Sequence, residues 1–422
     1  MKLSKYTIFH MENGKEYIYN QVSKALLEVD GELSAVLKTG DLSVIPDAII
    51  KNLRDNGFLV EDGTCESDNI CYANIRNRYN SKSIRITILP TLNCNFKCWY
   101  CYEEHRPKYL SEENTQAILQ FIKSEVTGKH LEKVVLDWFG GEPLMRFKQI
   151  IYPMSKKLKD WCEKQDVAFV NMITTNGSLI DEDMARLMNE IKLNQLQITL
   201  DGGKEQHNKV KNSPAIENAY DLTVKNIHTL CRNIDDVHIE LRINYTRENI
   251  DSAFEILDAF DEDARRNILV SPHIIWQVHD SSDELLPKVS LLVEEAFEKG
   301  YSIRRDSLSP RCTTCYTDNM EQFVVNYDLN VYKCTARDFN GKYSIGKITA
   351  DGRFEPNGLY YKYYITPSPF MREKCLDCEL LPTCLYSLSC IQKKIEGVSP
   401  DCNKASILES LKKSLSHKIL RP

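Results

Sequence analysis

From Ile84 to Trp276 the chain alternates six times between a short apolar run and a longer amphipathic one, and few architectures accept that rhythm. The strand candidates are Ile84–Leu89, Lys133–Trp138, Ala168–Thr174, Gln195–Leu200, His238–Asn244 and Ile268–Trp276. Between them Ser111–Val126, Phe147–Lys164, Asp181–Ile191, Ile216–Cys231 and Ile250–Ala259 read as helices. Six β/α units with short connections predict an α/β fold, a parallel sheet curved into a partial, TIM-like (β/α)6 barrel. In such architectures the working groups lie at the carboxyl ends of the strands. The loops that follow the strands are therefore where function is sought first.

The loop after the first strand carries the strongest signal. Thr91 to Cys101 reads TLNCNFKCWYC and gathers Cys94, Cys98 and Cys101 into one short stretch. Iron–sulfur clusters are held by closely spaced thiolates and normally take four. A local set of three leaves one iron of a cubane for something other than protein. Structural zinc closes with four ligands and prefers paired CxxC knuckles, a pattern this unequal spacing, with Tyr100 before the last cysteine, does not follow.

Gly140-Gly141-Glu142-Pro143 follows the second strand. Paired glycines let backbone approach a ligand closely, and backbone carbonyls with Glu142 can accept bonds from an ammonium group; taken alone, the stretch is also an ordinary turn. Thr174-Thr175-Asn176-Gly177 and Thr199-Leu200-Asp201-Gly202 end the third and fourth strands with hydroxyls, an amide and a carboxylate suited to ribose and carboxylate contacts. Arg242 and Asn244 alternate on one face of the fifth strand. Cys162 and Cys231 fall on apolar helix faces and read as small core residues. Acidic residues at strand ends are too numerous for a general base to be singled out.

After a helix expected from Pro287 to Lys299, eight of the fifteen cysteines fall between Cys312 and Cys402. Their order is Cys312, Cys315, Cys334, Cys375, Cys378, Cys384, Cys390 and Cys402. Glu321–Val325 and Val331–Lys333 look like hairpin strands around Asp328-Leu329-Asn330. Two CxxC knuckles could build a zinc ribbon, while eight cysteines also supply two complete sets of four thiolates.

A chain of 422 residues accommodates two or three domains. The expected division is 1–80, 81–300 and 301–422. No long apolar run suggests a membrane span, and the N-terminus lacks the apolar region of a signal peptide. A cytoplasmic location is expected, and in that reducing compartment so many cysteines point to metal rather than disulfides. The net charge of −6 argues against nucleic acid as a partner.

In the first 80 residues Tyr17–Tyr19 reads as a strand. Ala25, Leu26, Val29, Leu33, Val36 and Leu37 then recur at helical spacing, with Gly31 as a possible break. A second helix from about Pro46 to Asn56 and a strand at Phe58–Val60 complete a small winged-helix-like α+β unit. Its nine Lys/Arg against twelve Asp/Glu give the wrong sign for phosphate contacts. Cys65 and Cys71 sit in the linker beyond it, without partners at ligand spacing.

The CxxxCxYC loop, with the motifs that follow it in order, resembles the signature of the radical S-adenosylmethionine (SAM) enzymes. The resemblance spans roughly residues 84–402. It implies that Cys94, Cys98 and Cys101 hold a [4Fe–4S] cluster whose open iron is chelated by the amino and carboxylate groups of SAM. It also implies SAM contacts from Tyr100, from Gly140, Gly141, Glu142 and Pro143 toward the amino group, and from Asn176, Thr199, Asp201, Arg242 and Asn244. Thr199 stands where serine is more frequent, and Lys211, in His207-Asn208-Lys209-Val210-Lys211, where an arginine often meets the SAM carboxylate. The tail resembles the SPASM extension, which carries two auxiliary [4Fe–4S] clusters. Carried across, Cys312, Cys315, Cys334 and Cys390 would hold one, and Cys375, Cys378, Cys384 and Cys402 the other. Two departures stand out: Leu329 replaces a usual glycine, and the gap from Cys384 to Cys390 is longer than usual.

The first 80 residues are similar to the peptide-recognition domain of maturases of ribosomally made peptides, where a leader adds a strand to a sheet edge. The plainer reading is a cover over the catalytic domain. The function implied is a maturase that uses a 5′-deoxyadenosyl radical to install a thioether or carbon–carbon crosslink in a precursor peptide. Its electron donor would be a flavodoxin or ferredoxin. An anaerobic sulfatase maturase, which makes formylglycine, is the closest alternative, and a non-catalytic zinc-binding protein a more distant one.

Overall fold

The computed structural model describes residues 1–422 apart from 212, 214, 276, 279–281, 304–314, 337–338, 366–371, 385–401, 403 and 421–422. The chain forms two compact units. One comprises Met1–Ser81, Arg305–Met320 and Tyr361–Pro422, the other Lys82–Arg304 and Glu321–Tyr360.

The first unit contains strands β1 (Lys2–Leu3), β2 (Thr7–Glu12), β3 (Lys15–Asn20), β4 (Leu26–Val29) and β5 (Leu59–Val60), with helices α1 (Gly31–Thr39), α2 (Asp47–Asp55) and α3 (Glu66–Tyr79). β2, β3 and β4 make an antiparallel sheet in that order, and β1 pairs with β5. Asn13 and Gly14, both at positive φ, turn β2 into β3, the asparagine–glycine pair that two-residue hairpins favour.

Two expectations change here. Ala25, Leu26 and Val29 belong to strand β4 and its approach, not to a helix. The helix starts only at Gly31, where the Asp30 carboxylate accepts from Leu33 N–H at 2.7 Å and caps it. A run of apolar residues so short fits either period, and the cap decides it. Residues 66–79, read as linker, form α3. No apolar stripe announced this helix, because the side chains it buries include Ser67, Asn74 and Arg78.

Ile18, Val29, Leu37, Leu53, Phe58 and Leu59 pack between sheet and helices. Elsewhere on the sheet, Ile8 and Tyr19 pack against Leu411 and Leu415 of the helix Lys404–Leu420. The N-terminal sheet is thus buried by the end of the same chain, a long-range pairing with no local sequence signal.

The second unit is built on an eleven-stranded sheet. Its strands are β6 (Ser83–Ile88), β7 (Lys133–Trp138), β8 (Ala168–Thr175), β9 (Leu193–Leu200), β10 (His238–Tyr245), β11 (Ile268–Ile274), β12 (Ser302–Ile303), β13 (Gln322–Val325), β14 (Asn330–Tyr332), β15 (Gly346–Ile348) and β16 (Phe354–Pro356). β6 to β12 run parallel in sequence order, as the alternating pattern predicts. Helices α4 (Glu112–Lys129), α5 (Tyr152–Lys164), α6 (Glu182–Glu190), α7 (Lys204–Val210) and α8 (Ala219–Asn233) lie in the crossovers. The expected hairpin forms from β13 and β14, and β13 also pairs parallel with β6.

Leu329, at the hairpin turn, has φ +67°, the left-handed region where glycine is at ease. This accounts for the glycine usual at that position in the resembling sequences. Phe147–Ile151 is a π-helical turn rather than the start of α5. Pro153 has no N–H to continue the α ladder, and Tyr152 N–H bonds Phe147 O, five residues back. Residues 251–258 form a 3-10 helix, and the helix expected from Pro287 starts at Ser282. Trp276, Cys312 and Cys390 lie outside the described residues.

Parallel sheets are usually apolar on both faces. Here Ile84, Ile86 and Ile88 of β6 and Val134, Leu136 and Trp138 of β7 are fully buried. The alternate positions are Arg85, Thr87, Asp137, Gln197, Thr199, Glu240, Arg242 and Asn244. One face is thus dry, and the other is polar. Arg85 bonds Asp137 Oδ2 at 2.6 Å and Thr87 bonds the same oxygen at 3.2 Å. A parallel sheet with one polar face departs from the usual pattern, and Thr199, Arg242 and Asn244 lie on that face.

Candidate functional site

Three loops at the carboxyl ends of β6, β7 and β8 interlock. The cysteine loop is pinned at its neck by the Thr91 hydroxyl, which donates to Lys108 O at 2.8 Å and accepts from Asn93 N–H at 2.9 Å. The Gly140-Gly141-Glu142 turn lies directly against it. Gly141 N–H donates to Thr91 O at 3.2 Å and Glu142 N–H to Asn93 O at 2.8 Å. A Cβ on Gly140 would overlap Thr91 O, and one on Gly141 would come within 2.6 Å of Leu92 O. The glycines therefore allow two backbones to meet.

Glu142 is wholly buried and accepts from Leu144 N–H at 3.0 Å, Thr175 Oγ1 at 2.7 Å and Asn176 N–H at 2.8 Å. Burial pushes its carboxyl above the ordinary range, while these three donors pull the other way. Most of its acceptor capacity is spent on protein. Asn176 in turn bonds Asn95 Oδ1 at 2.9 Å and points its amide at Cys94 Sγ, 4.0 Å away.

Across the sheet, the carboxyl ends of β9 and β10 make a second network. Tyr100 OH donates to Asp201 Oδ1 at 2.6 Å, and Asn244 Nδ2 donates to Tyr100 OH at 3.0 Å and to Asp201 Oδ1 at 3.1 Å. Arg242 Nε donates to Asn244 Oδ1 at 2.8 Å. Lys211 Nζ faces Asp201 Oδ2 at 3.2 Å as an ion pair. Burial raises the Asp201 carboxyl, but Lys211 first and His207 second hold it below the usual range. Burial likewise disfavours the Lys211 ammonium, and Asp201, Tyr100 and Cys98 outweigh that.

The structure thus joins Tyr100 and Asp201 with Arg242 and Asn244 of β10, three stretches far apart in sequence. Thr199 pairs with Arg242 on the neighbouring strand. Pro143 is buried and opens the short 3-10 turn after Glu142.

Sequence reasoning missed His207, whose Nδ1 accepts from Asp201 N–H at 3.1 Å. Burial drives its imidazole down to about 4, so it is neutral in the fold. The unfolded side chain titrates at about 6.5, so between about 6.5 and 4 the unfolded state binds the extra proton and stability falls as pH falls. From pH 7 to pH 5 this costs about 2 kcal/mol. In H207Q, chemical-denaturation midpoints at the two pH values should differ less than in the wild-type chain by that amount.

The donor chemistry around the three cysteines suits a metal group. Burial, with Glu142 adding to it, pushes the Cys94 thiol up to about 12, and burial also raises Cys101. Such thiols stay protonated unless a bound cation holds the thiolate. Among the described residues no three Cys, His or carboxylate side chains converge on an ion as they stand. The fit therefore rests on donor type and placement. In the first unit, burial raises the Cys375 thiol, with Cys378 and Cys402 adding to it. Cys384 lies between Cys378 and Cys402 in sequence, its N–H bonded to Leu380 O at 2.8 Å. Cys315 belongs to the first unit and Cys334 to the second.

Comparisons with known proteins bear on the fold and on the family of the second unit. The chain is 27% identical over 177 residues to Fe-coproporphyrin III synthase of Methanosarcina barkeri, covering 41% of this chain and 40% of that protein. It thus spans less than half the length of that relative. With the cysteine-type anaerobic sulfatase-maturating enzyme of Clostridium perfringens it shares 23% identity over 327 residues, 69% of this chain and 84% of the other. In fold it is similar to native anSMEcpe with bound AdoMet, with a TM-score of 0.59 at 17% identity, covering 80% of this chain and 98% of that one. It is also similar to Streptococcus suis SuiB bound to precursor peptide SuiA, with a TM-score of 0.51 at 14% identity, covering 91% and 94%. Among the described residues no helix is long and apolar enough to cross a membrane. Residues 88–260, which run from the end of β6 through the cysteine loop and past β10, match the family model of the Radical SAM superfamily, and this chain carries a radical SAM domain.

Proposed function

We propose that this protein is a radical SAM peptide maturase that installs an internal crosslink in a ribosomally made precursor. The observation that carries it is the three-cysteine loop seated by Gly140-Gly141-Glu142 at the carboxyl ends of the parallel strands. In this reading Cys94, Cys98 and Cys101 hold the [4Fe–4S] cluster. Arg242, Asn176, Thr199 and the Tyr100–Asp201–Asn244 network border the SAM pocket. When bound, the reduced cluster and SAM together supply a 5′-deoxyadenosyl radical, which removes hydrogen from an unactivated carbon. The chain's own residues orient the cofactor and target and keep water away from the reacting carbon.

The cysteines of residues 312–402 are assigned to two auxiliary clusters in a SPASM domain, in the ligand order given above. A flavodoxin or ferredoxin would supply electrons. Residues 1–80 are assigned to leader binding in a winged-helix-like domain. The support is a three-stranded sheet in which β4, among the described residues, has β3 as its one neighbour and offers an open edge. SuiB was obtained with its precursor peptide, and its likeness extends over 91% of this chain.

The test takes candidate precursor peptides from any small open reading frames beside the gene and incubates them anaerobically with the full chain, SAM and a reductant. Mass spectrometry should find a loss of two hydrogens and an internal linkage. Backbone amides of 26–29 should gain protection from hydrogen exchange when the peptide binds. A peptide bound tightly with no change at 26–29 rejects the leader site. The alternative, a sulfatase maturase, is favoured by the 23% identity running across 69% of the chain. An aldehyde at a single cysteine or serine would establish it.

A further inference from the structure

Lys211 closes the site from the end of α7, and its ammonium has three partners. It stands 3.2 Å from Asp201 Oδ2, 3.4 Å from Tyr100 OH and 3.4 Å from Cys98 Sγ. The ammonium hydrogen-bonds the hydroxyl and the sulfur and faces the carboxylate as an ion pair. That suits a compact ammonium better than a planar guanidinium fork. Lys211 is 6% exposed and Asp201 fully buried, so water does little to screen either charge.

Adding an electron to a thiolate-bound metal group makes it more negative. A cation against one of its sulfurs stabilises the reduced form, and hydrogen bonds and charges around the sulfurs are the protein's means of setting the potential. Asp201 acts with the opposite sign. It faces the same ammonium and reaches the cysteine loop through the Tyr100 hydroxyl.

We propose that Lys211 and Asp201 form a charge pair that sets the reduction potential of the metal group held by Cys94, Cys98 and Cys101. The lysine acts by contact with the Cys98 sulfur, and the carboxylate offsets it in part. This rests on the radical SAM reading of the three cysteines and adds to it a role for two residues of this chain. Lys211 is a positioning and electrostatic residue, not a catalytic one.

The experiment is an EPR-monitored redox titration of the anaerobically reconstituted full chain without SAM, following the signal that is absent in C98A. In K211M the reduced-to-oxidised ratio at a fixed potential should fall at least tenfold, which for a one-electron couple is about 59 mV. In D201N the ratio should rise, and in K211R it should stay within about threefold of wild type, since the charge is kept. A lysine that merely packed would not produce shifts of opposite sign in the two neutral variants.

Ratios unchanged in both K211M and D201N overturn the charge pair and leave the radical SAM reading standing. A wild-type chain with no iron–sulfur signal overturns both. Should K211M fail to load iron, D201N and K211R carry the test, and a D201N ratio that is unchanged or lower overturns the proposal.

Discussion

Replacing Cys98 with alanine should remove the iron of the SAM-binding site and cut 5′-deoxyadenosine formation by on the order of a thousandfold, or about 4 kcal/mol in barrier terms. Two thiolates in the loop cannot hold a cubane that needs three from this stretch. The fold should survive, because Cys98 lies in a loop at the strand ends and is only half-buried. The control is Cys162 on α5, fully buried among apolar neighbours, its thiol pushed up to about 12 by burial. C162A should lower stability by about 1 kcal/mol and leave iron content and 5′-deoxyadenosine formation as they were. If C98A keeps its iron and cleaves SAM at the wild-type rate, the assignment of the loop is wrong.

Glu142→Ala should be the most destabilising single change near the site. One fully buried carboxylate answers Leu144 N–H, Thr175 Oγ1 and Asn176 N–H, donors from two different loops. Removing it leaves three buried donors unmatched, each worth roughly 1–3 kcal/mol. A total of about 4 kcal/mol is expected, read as a fall in denaturation midpoint. Because Asn176 also faces Cys94, iron retention should fall with it. Glu142→Gln keeps one acceptor oxygen and should lose about half as much. Equal stability of E142A and the wild-type chain would mean that these bonds do not hold the two loops together.

Much of the second unit was legible because its signals are local. The apolar runs at 133–138, 168–175 and 238–245 alternate with amphipathic helices, and β7 falls where the pattern put it. The cysteine loop was visible for a similar reason, since three ligands on one short segment need no tertiary help to be noticed. The elements that escaped, α3 and β4, lack a decisive apolar period. The π-turn at 147–151 escaped because its residues continue the apolar period of α5, and only Pro153, which cannot continue the α ladder, marks the change. Gly140 and Gly141 were recognised as close-approach residues, but the backbone they approach, the carbonyls of Thr91 and Asn93, lies some fifty residues away in sequence.

The sequence by itself determined the parallel β/α succession, the loops that carry chemistry, and the family to which the domain of residues 88–260 belongs. Those are properties of periodicity and of donor types at short spacing, which a linear string records. The tertiary structure alone decided which side chains meet: Lys211 against Cys98 and Asp201, His207 beneath Asp201, and the C-terminal helix against β2 and β3. The physical reason is that buried charges and hydrogen-bond donors are satisfied by whatever partner the fold brings within about 3 Å. Identity along the chain says only what a residue can donate or accept, and the fold decides to whom.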